Sequence, residues 1–470
     1  MERISYNRLL HKIWNVLILV LDKLFFMQIF KKFILAIVAL SFVLSSSANA
    51  ASILRDEEIE RMLKKMSTPI FEQANIPPRS VNFILLNDDK LNAFVAGGQN
   101  IFINSGLILE TDNVEELLGV IAHETGHIAS GHLVRINTAG KGLSFQAMLS
   151  TILGVAVAVG TGSAEAGMAI SRLGTDAAYK KMLKHTRTQE GSADQASIKF
   201  LKNSDMPISG LLSFLKKLED QELLPASQQS KYLRTHPLTQ DRIHTIEHAN
   251  EQWKKGSVSE EWKRNHKIIK AKTLGYLFPD EQLTIRGNDF ATKYGHAVAY
   301  YKKNNFKKAL PIIDELIQQD SDNAYLYEFK GQIFYNKGDI EDSINAYKKA
   351  VELVPDSGLI KIGYAYSLLA AQSDKHTRED EAIKILNRAI LIEKNSSEPH
   401  HLLAIAYGRR GLEGMSSLHL SEEAIMENNP KLASISAMRA MTKLKKDSPA
   451  YYRAKLLLEK AQKAYKESKK

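Results

Sequence analysis

From residue 51 onward, apolar positions recur at helical spacing, then in short alternating runs, then at helical spacing again to the C-terminus. Residues 51–75 (ASILRDEEIERMLKKMSTPIFEQAN) predict a charged amphipathic helix, stopped by Pro77-Pro78. The segment VNFILL (81–86) is apolar and rich in β-branched residues, and predicts a strand. Residues 92–108 (NAFVAGGQNIFINSGLI) alternate and are interrupted at Gly97-Gly98, as in a hairpin or a bulged strand pair. A helix is predicted from about Thr111-Asp112 through HETGH, and another over about 175–202, with helical pattern continuing to about 221. Residues 145–170 are apolar but rich in Gly and Ser and carry Glu165. They predict a helix pair or a mobile cover rather than a membrane span, which needs about 20 apolar residues.

Past about residue 283 the texture becomes one of regular helix pairs. Phe306 aligns with Ile340, Ala309 with Ser343 and Asp322 with Asp356, each 34 residues apart. That is the tetratricopeptide period. Residues 380–399 repeat the pattern after an insertion and 431–450 repeat it more loosely, so three to four repeats are expected. Each such unit buries its apolar face only by stacking on a neighbour, which builds a curved surface suited to binding protein.

Composition narrows the picture. At 470 residues, 44% apolar and 25% charged, the chain is expected to form two globular domains. There is no cysteine, so disulfides, thiolate metal sites, a cysteine nucleophile and a lipidated N-terminal cysteine are excluded. The net charge is +10; residues 1–50 hold six Lys/Arg and two Asp/Glu, leaving +6 without them. That balance suits a lysine-rich solvated surface, and also peripheral contact with an anionic membrane or an acidic partner. Lys31-Lys32, the apolar run Phe33 to Leu44 and Ala48-Asn49-Ala50 follow the order of an export signal, with cleavage expected after Ala50. Residues 1–26 place a second apolar stretch before it; a start at Met27 would give a compact signal over 27–50, and 1–26 would be a spurious extension. No nucleic-acid-binding motif occurs, and an exported protein has no call for one.

The chemistry concentrates in His123-Glu124-Thr125-Gly126-His127. Two histidines four apart on a helix share one face, and neutral imidazoles there can ligate a zinc ion, with the glutamate beside them as base for its bound water. HExxH also arises by chance, so its company matters. A glycine-containing strand pair precedes it, and a downstream helix carries Arg187, Glu190 and Asp194. Glu190 is a candidate third ligand, and Asp194 a candidate acceptor for the N–H of a ligand histidine. The alternative for both acids is an ordinary solvated face. Ser130 and Leu133 stand where a metzincin needs Gly and His, so a glutamate third ligand is preferred.

NAFVAGG (92–98), SGLI (105–108), HETGHIASGH (123–132), RTQEGSAD (187–194) and THPLTQDRI (235–243) resemble the M48 family of zinc metallopeptidases. The resemblance implies an α+β, mainly helical, gluzincin-like domain with a small sheet over 51–275. A linker (276–290) and an α-helical repeat domain (291–470) would follow. It implies one Zn2+ per subunit on His123, His127 and Glu190, with Glu124 as general base and Asp194 supporting a ligand histidine. His132 matches a family position, but a packed or capping histidine is the preferred reading. His236 could donate to a developing oxyanion, occupy the open metal position and keep the enzyme latent, or be an ordinary loop histidine. Arg242 is catalytic support or an ion-pair partner. Gly191-Ser192 and Gln195 depart from the family's usual residues, which touches helix stability and ion pairing rather than zinc binding. The edge-strand residues Asn92, Ala93 and Phe94 are candidates for pairing with an extended substrate. The family's exported members with repeats imply a periplasmic endopeptidase acting on unfolded or misassembled outer-membrane proteins, with the repeats docking on the β-barrel assembly machinery. The alternative is a periplasmic chaperone or adaptor that works through its repeats and keeps a latent protease site.

Overall fold

The computed structural model describes residues 52–132, 186–222, 224–225, 229–371 and 376–468. The expected export signal at 27–50, the extension at 1–26, the apolar segment 145–170 with Glu165, and the start of the 175–202 helix lie outside them.

The first departure from expectation is at residue 52. Ser52–Leu54 is a strand (β1), and the helix (α1) runs only from Glu57 to Gln73. Asp56 separates them because its side chain caps the helix, accepting from the Ile59 N–H. β1 is held by long-range pairing with Leu85, Leu86 and Asn87, which no local pattern announces. β2 (Asn82–Asn87), β3 (Ala93–Ala96) and β4 (Asn100–Asn104) complete a sheet of order β1-β2-β4-β3. β2 and β4 are parallel, while β3 and β4 form the expected hairpin, antiparallel across Gly97 and Gly98, both at positive φ. The run 92–108 is not strand throughout: Ser105–Glu110 turns into a short helix, α2.

α3 (Val114–Ala129) starts at an Asn113 cap and α4 (Arg187–Asn203) at a Thr186–Gln189 capping box. α5 (Ser209–Glu222), α6 (Lys231–Thr235) and α7 (Gln240–Gln252) close the peptidase part. Its core lies between one face of the sheet and these helices, where Leu63, Phe71, Leu85, Ile103, Ile121 and Phe214 pack together. Two glycines set how closely α3 is approached. A Cβ on Gly119 would sit 2.7 Å from Leu211 backbone atoms, and one on Gly126 would sit 2.6 Å from the Ala193 carbonyl oxygen. Gly126 therefore lets α4 lie directly against the histidine helix.

α8 (Glu260–Leu277) packs against both α2 and α10 (Phe290–Lys302), and α9 (Pro279–Thr284) is helical within the span expected as a linker. Lys272 of α8 is buried and pairs with Asp56 at 2.8 Å and Glu58 at 2.7 Å, tying α8 to α1. The repeats follow as α11 (Phe306–Gln319), α12 (Ala324–Lys337), α13 (Ile340–Leu353), α14 (Gly358–Ala370), α15 (Thr377–Ile392), α16 (Glu398–Arg409), α17 (Glu413–Met426), α18 (Pro430–Lys443) and α19 (Pro449–Ser468). α11 begins at Phe306 and α13 at Ile340, the 34-residue offset read from the sequence. The fold is thus mainly helical, with one small sheet and a helical repeat array.

Candidate metal centre

Helical spacing places His123 and His127 one turn apart on α3, and both are fully buried. Their Nε2 atoms approach to 3.1 Å. Glu190, brought in on α4, puts Oε2 3.3 Å from His123 Nε2 and Oε1 3.3 Å from His127 Nε2. Donor atoms set tetrahedrally around zinc at 2.0–2.1 Å stand about 3.3–3.4 Å apart, so this spacing fits one such ion. The donor set, two imidazoles and a carboxylate, fits its chemistry as well. His236 belongs to the same buried cluster, whose potential ligand atoms all lie within 4.8 Å of one another.

The outer nitrogens are also placed. His123 Nδ1 is 2.9 Å from Asp194 Oδ1, which orients the ring with Nε2 inward. His127 Nδ1 is 3.3 Å from His132 Nδ1, giving the second histidine a partner of its own. Arg242 is the hub beneath both acids. Its Nε and Nη2 donate to the two oxygens of Asp194 at 2.6 and 3.0 Å, and its Nη1 lies 2.9 Å from Glu190 Oε2. A third bond, to the Pro237 carbonyl at 2.8 Å, anchors the turn that carries His236. Of the two readings of Arg242, the geometry is that of an ion-pair partner.

Glu124 differs from its neighbours. It is fully buried, and neither carboxylate oxygen has a hydrogen-bond partner among the described residues. His236 Nε2 is 3.5 Å from one of them. Burial raises the Glu124 carboxyl above its usual range, with His236 and His123 opposing. Burial also acts on the other groups, with different outcomes. It pushes His127 down to about 2, while for His123 it is outweighed by Asp194 and Glu190, which lift that ring to about 10. Glu190 and Asp194 are both lowered, because His236 and Arg242 respectively overcome the cost of burial. A cluster of this kind, where burial and specific partners drive ionisable groups apart, marks a functional site.

His236 sits at the end of α6, its Nδ1 3.1 Å from Glu190 Oε1 and its Nε2 3.1 Å from the Ala93 carbonyl oxygen. Tyr232, buried and four residues earlier, stacks on its ring at 4.5 Å. Sequence reading missed Tyr232, although aromatic and histidine at i, i+4 was the available signal. The edge-strand candidates separate by direction. Asn104 N–H donates to the Asn92 carbonyl at 3.0 Å, so Asn92, and by alternation Phe94, aim their main-chain groups at β4. Ala93 and Val95 aim theirs away from β4, on the edge of the sheet, although β3 is buried along its whole length.

Residues 53–250 match the sequence model of peptidase family M48, and residues 294–358 and 330–398 match that of the tetratricopeptide repeat. Over 372 residues the chain is 27% identical to the beta-barrel assembly-enhancing protease of Escherichia coli (strain K12), covering 76% of this chain and 73% of that protein. It is 24% identical over 375 residues to the protein of the same name in Yersinia pestis, covering 77% and 75%. Over 173 residues it is 30% identical to the metalloprotease LoiP of Escherichia coli (strain K12), covering 37% and 64%.

Proposed function

We propose that this metalloendopeptidase, which carries a peptidase family M48 domain followed by tetratricopeptide repeats, holds one zinc ion on His123, His127 and Glu190 and uses Glu124 as its general base. The observation that carries the reading is the convergence of three ligand side chains, with the two imidazole Nε2 atoms 3.1 Å apart and each 3.3 Å from one oxygen of Glu190, beside a buried carboxylate without a hydrogen bond. A desolvated carboxylate without a hydrogen bond costs stability, and a polar group so placed is suited to taking a proton.

When bound, zinc supplies Lewis acidity to the scissile carbonyl and to the attacking water. Glu124 accepts the water's proton and returns it to the leaving amine. Asp194 and Arg242 keep His123 and Glu190 oriented. An extended substrate would add to the β3 edge through the main-chain groups of Ala93 and Val95 once that buried edge is uncovered and His236 leaves the Ala93 carbonyl, which gives recognition with weak side-chain selectivity. Such a mode suits unfolded or incompletely assembled strands. Together with the name borne by the relatives, it supports misassembled outer-membrane proteins in the bacterial periplasm as clients, with the repeats contacting the assembly machinery. No helix among the described residues is long and apolar enough to cross a membrane.

A second reading, a chaperone or adaptor with a latent protease site, is favoured by one observation. His236 lies within the ligand cluster and its Nε2 takes up the Ala93 carbonyl, on the edge a substrate would use. The test is cleavage of casein by the zinc-loaded chain beside Glu124→Gln and His236→Arg. Cleavage by wild type that Glu124→Gln abolishes supports the protease. Zinc-loaded wild type without cleavage, released by His236→Arg, supports latency; cleavage retained in Glu124→Gln overturns the assignment of the base.

A further inference from the structure

Charge is spread very unevenly along this chain. Residues 430–470 contain twelve Lys/Arg and three Asp/Glu, a net +9 of the +10 carried by the whole sequence. The preceding 429 residues are therefore nearly neutral, at +1. The excess falls on the last helix pair, α18 and α19. Their shared seam is made of small residues, with Ala433, Ala437, Ala440, Ala454 and Ala461 fully buried.

Both helices of this pair expose large apolar side chains. On α18, Leu432, Ile435 and Met438 are 45%, 52% and 48% exposed, and their spacing of three puts them on one side of the helix. On α19, Tyr452 and Leu456, four apart, are 54% and 64% exposed. Cations are interleaved with them. Arg439 and Lys443 reach Glu413 at 3.9 and 3.0 Å, and Arg453 pairs with Glu422. Lys431, Lys445, Lys446, Lys455, Lys460 and Lys463 form no ion pair among the described residues.

Large apolar side chains exposed among unpaired lysines are the pattern of a helix that lies in the interface of a negatively charged bilayer. The apolar groups enter the acyl boundary, and the long lysine stems let the ammonium groups stay at the head groups. Ten of the twelve cations are lysine. A strongly hydrated point charge suits the diffuse field of a lipid surface, whereas planar, bidentate recognition of a carboxylate on a protein favours arginine. We propose that the α18–α19 pair is a docking surface for an anionic lipid bilayer, which would hold the peptidase beside the membrane.

The full chain tests this directly, and its lack of cysteine makes labelling simple. Ile435→Cys carrying an environment-sensitive fluorophore should shift to the blue on phosphatidylglycerol-containing vesicles and not on pure phosphatidylcholine ones. Flotation should show the same preference and weaken with salt. Because each lysine at an anionic surface is worth about fivefold in partitioning, Lys455→Gln/Lys460→Gln/Lys463→Gln should lower it about a hundredfold. Leu432→Ser/Ile435→Ser/Met438→Ser should lower it too while casein cleavage is unchanged. Equal flotation with neutral vesicles, or an unshifted label on anionic ones, would overturn the proposal. So would soluble polyglutamate binding as tightly per charge as the vesicles while the serine variant keeps full vesicle binding, since the partner would then be an acidic polypeptide.

Discussion

The histidine helix with its partner α4 and the helices of the repeat array are of similar length, 16 and 17 residues against 14 in α11, α12 and α13. They bury different things. Between α3 and α4 the seam holds His123, Glu124, His127, Glu190 and Asp194, with Arg242 closing it from α7. Between the repeat helices it holds Ala309, Ala350, Leu368, Ala382 and Leu386. An apolar seam tolerates change in proportion to the volume removed, and each unit contacts only its neighbours. A seam of charges is stable only while every partner is present, because removing one leaves another buried and unpaired. Position in the fold therefore sets how a substitution is felt, whatever the size of the residue.

That contrast can be broken or sharpened by substitution. The largest effect is expected at the hub: Arg242→Ala should destabilise the peptidase part by about 3–5 kcal/mol in urea unfolding, because Asp194 and Glu190 lose their cation together. A loss below about 1 kcal/mol would mean the seam does not depend on its charge pairing. In the repeats, Leu368→Ala should cost about 2–4 kcal/mol through the cavity left behind, yet leave cleavage of a short peptide within about twofold of wild type. A large fall in cleavage would show that the two regions are not independent. Gly126→Ala should cost about 1–3 kcal/mol and reduce zinc affinity, because a methyl 2.6 Å from the Ala193 carbonyl pushes α4 away from the histidines. Gly191→Ala, with open space around it, is the control and should retain affinity.

A further effect is electrostatic and lies where the two regions meet. Glu328 lines a cavity of about 220 Å³ with Arg55, Asp56, Lys272 and Tyr325. Burial, with Asp56 adding to it, raises its carboxyl from 4.5 to about 8. A folded-state value above the unfolded one means the folded chain holds a proton that the unfolded chain has released. Stability from this group is complete below about pH 4.5 and is lost as pH rises towards about 8. Glu328→Gln should flatten that part of a thermal-stability profile; an unchanged slope would place its origin in another group.

The two regions also differ in how much of them could be read from sequence. The repeats were legible because a 34-residue period repeats the same local chemistry, so each unit reports on the others. The HExxH helix and the Glu190–Asp194 pair were legible because their spacing fits helical geometry. What stayed hidden depends on contacts distant in sequence. β1 is three residues long and exists through pairing with β2, so its polar neighbours made 51–75 read as one helix. Asn92 and Phe94 looked equivalent to Ala93 until the register of β3 on β4 showed which main-chain groups face outward. The partnership of His127 with His132 depends on the turn after α3, where Gly131 has φ +69° and the chain folds back on the last helical turn.

We propose that three side chains from two helices hold one metal ion while a fourth side chain, Glu124, does chemistry. Zinc content per chain, measured on wild type, Glu190→Gln and Glu124→Gln purified in parallel, tests it most directly. One zinc is expected in wild type and in Glu124→Gln, and loss of most of it in Glu190→Gln. Full zinc in Glu190→Gln, or its loss in Glu124→Gln, would contradict that division of labour.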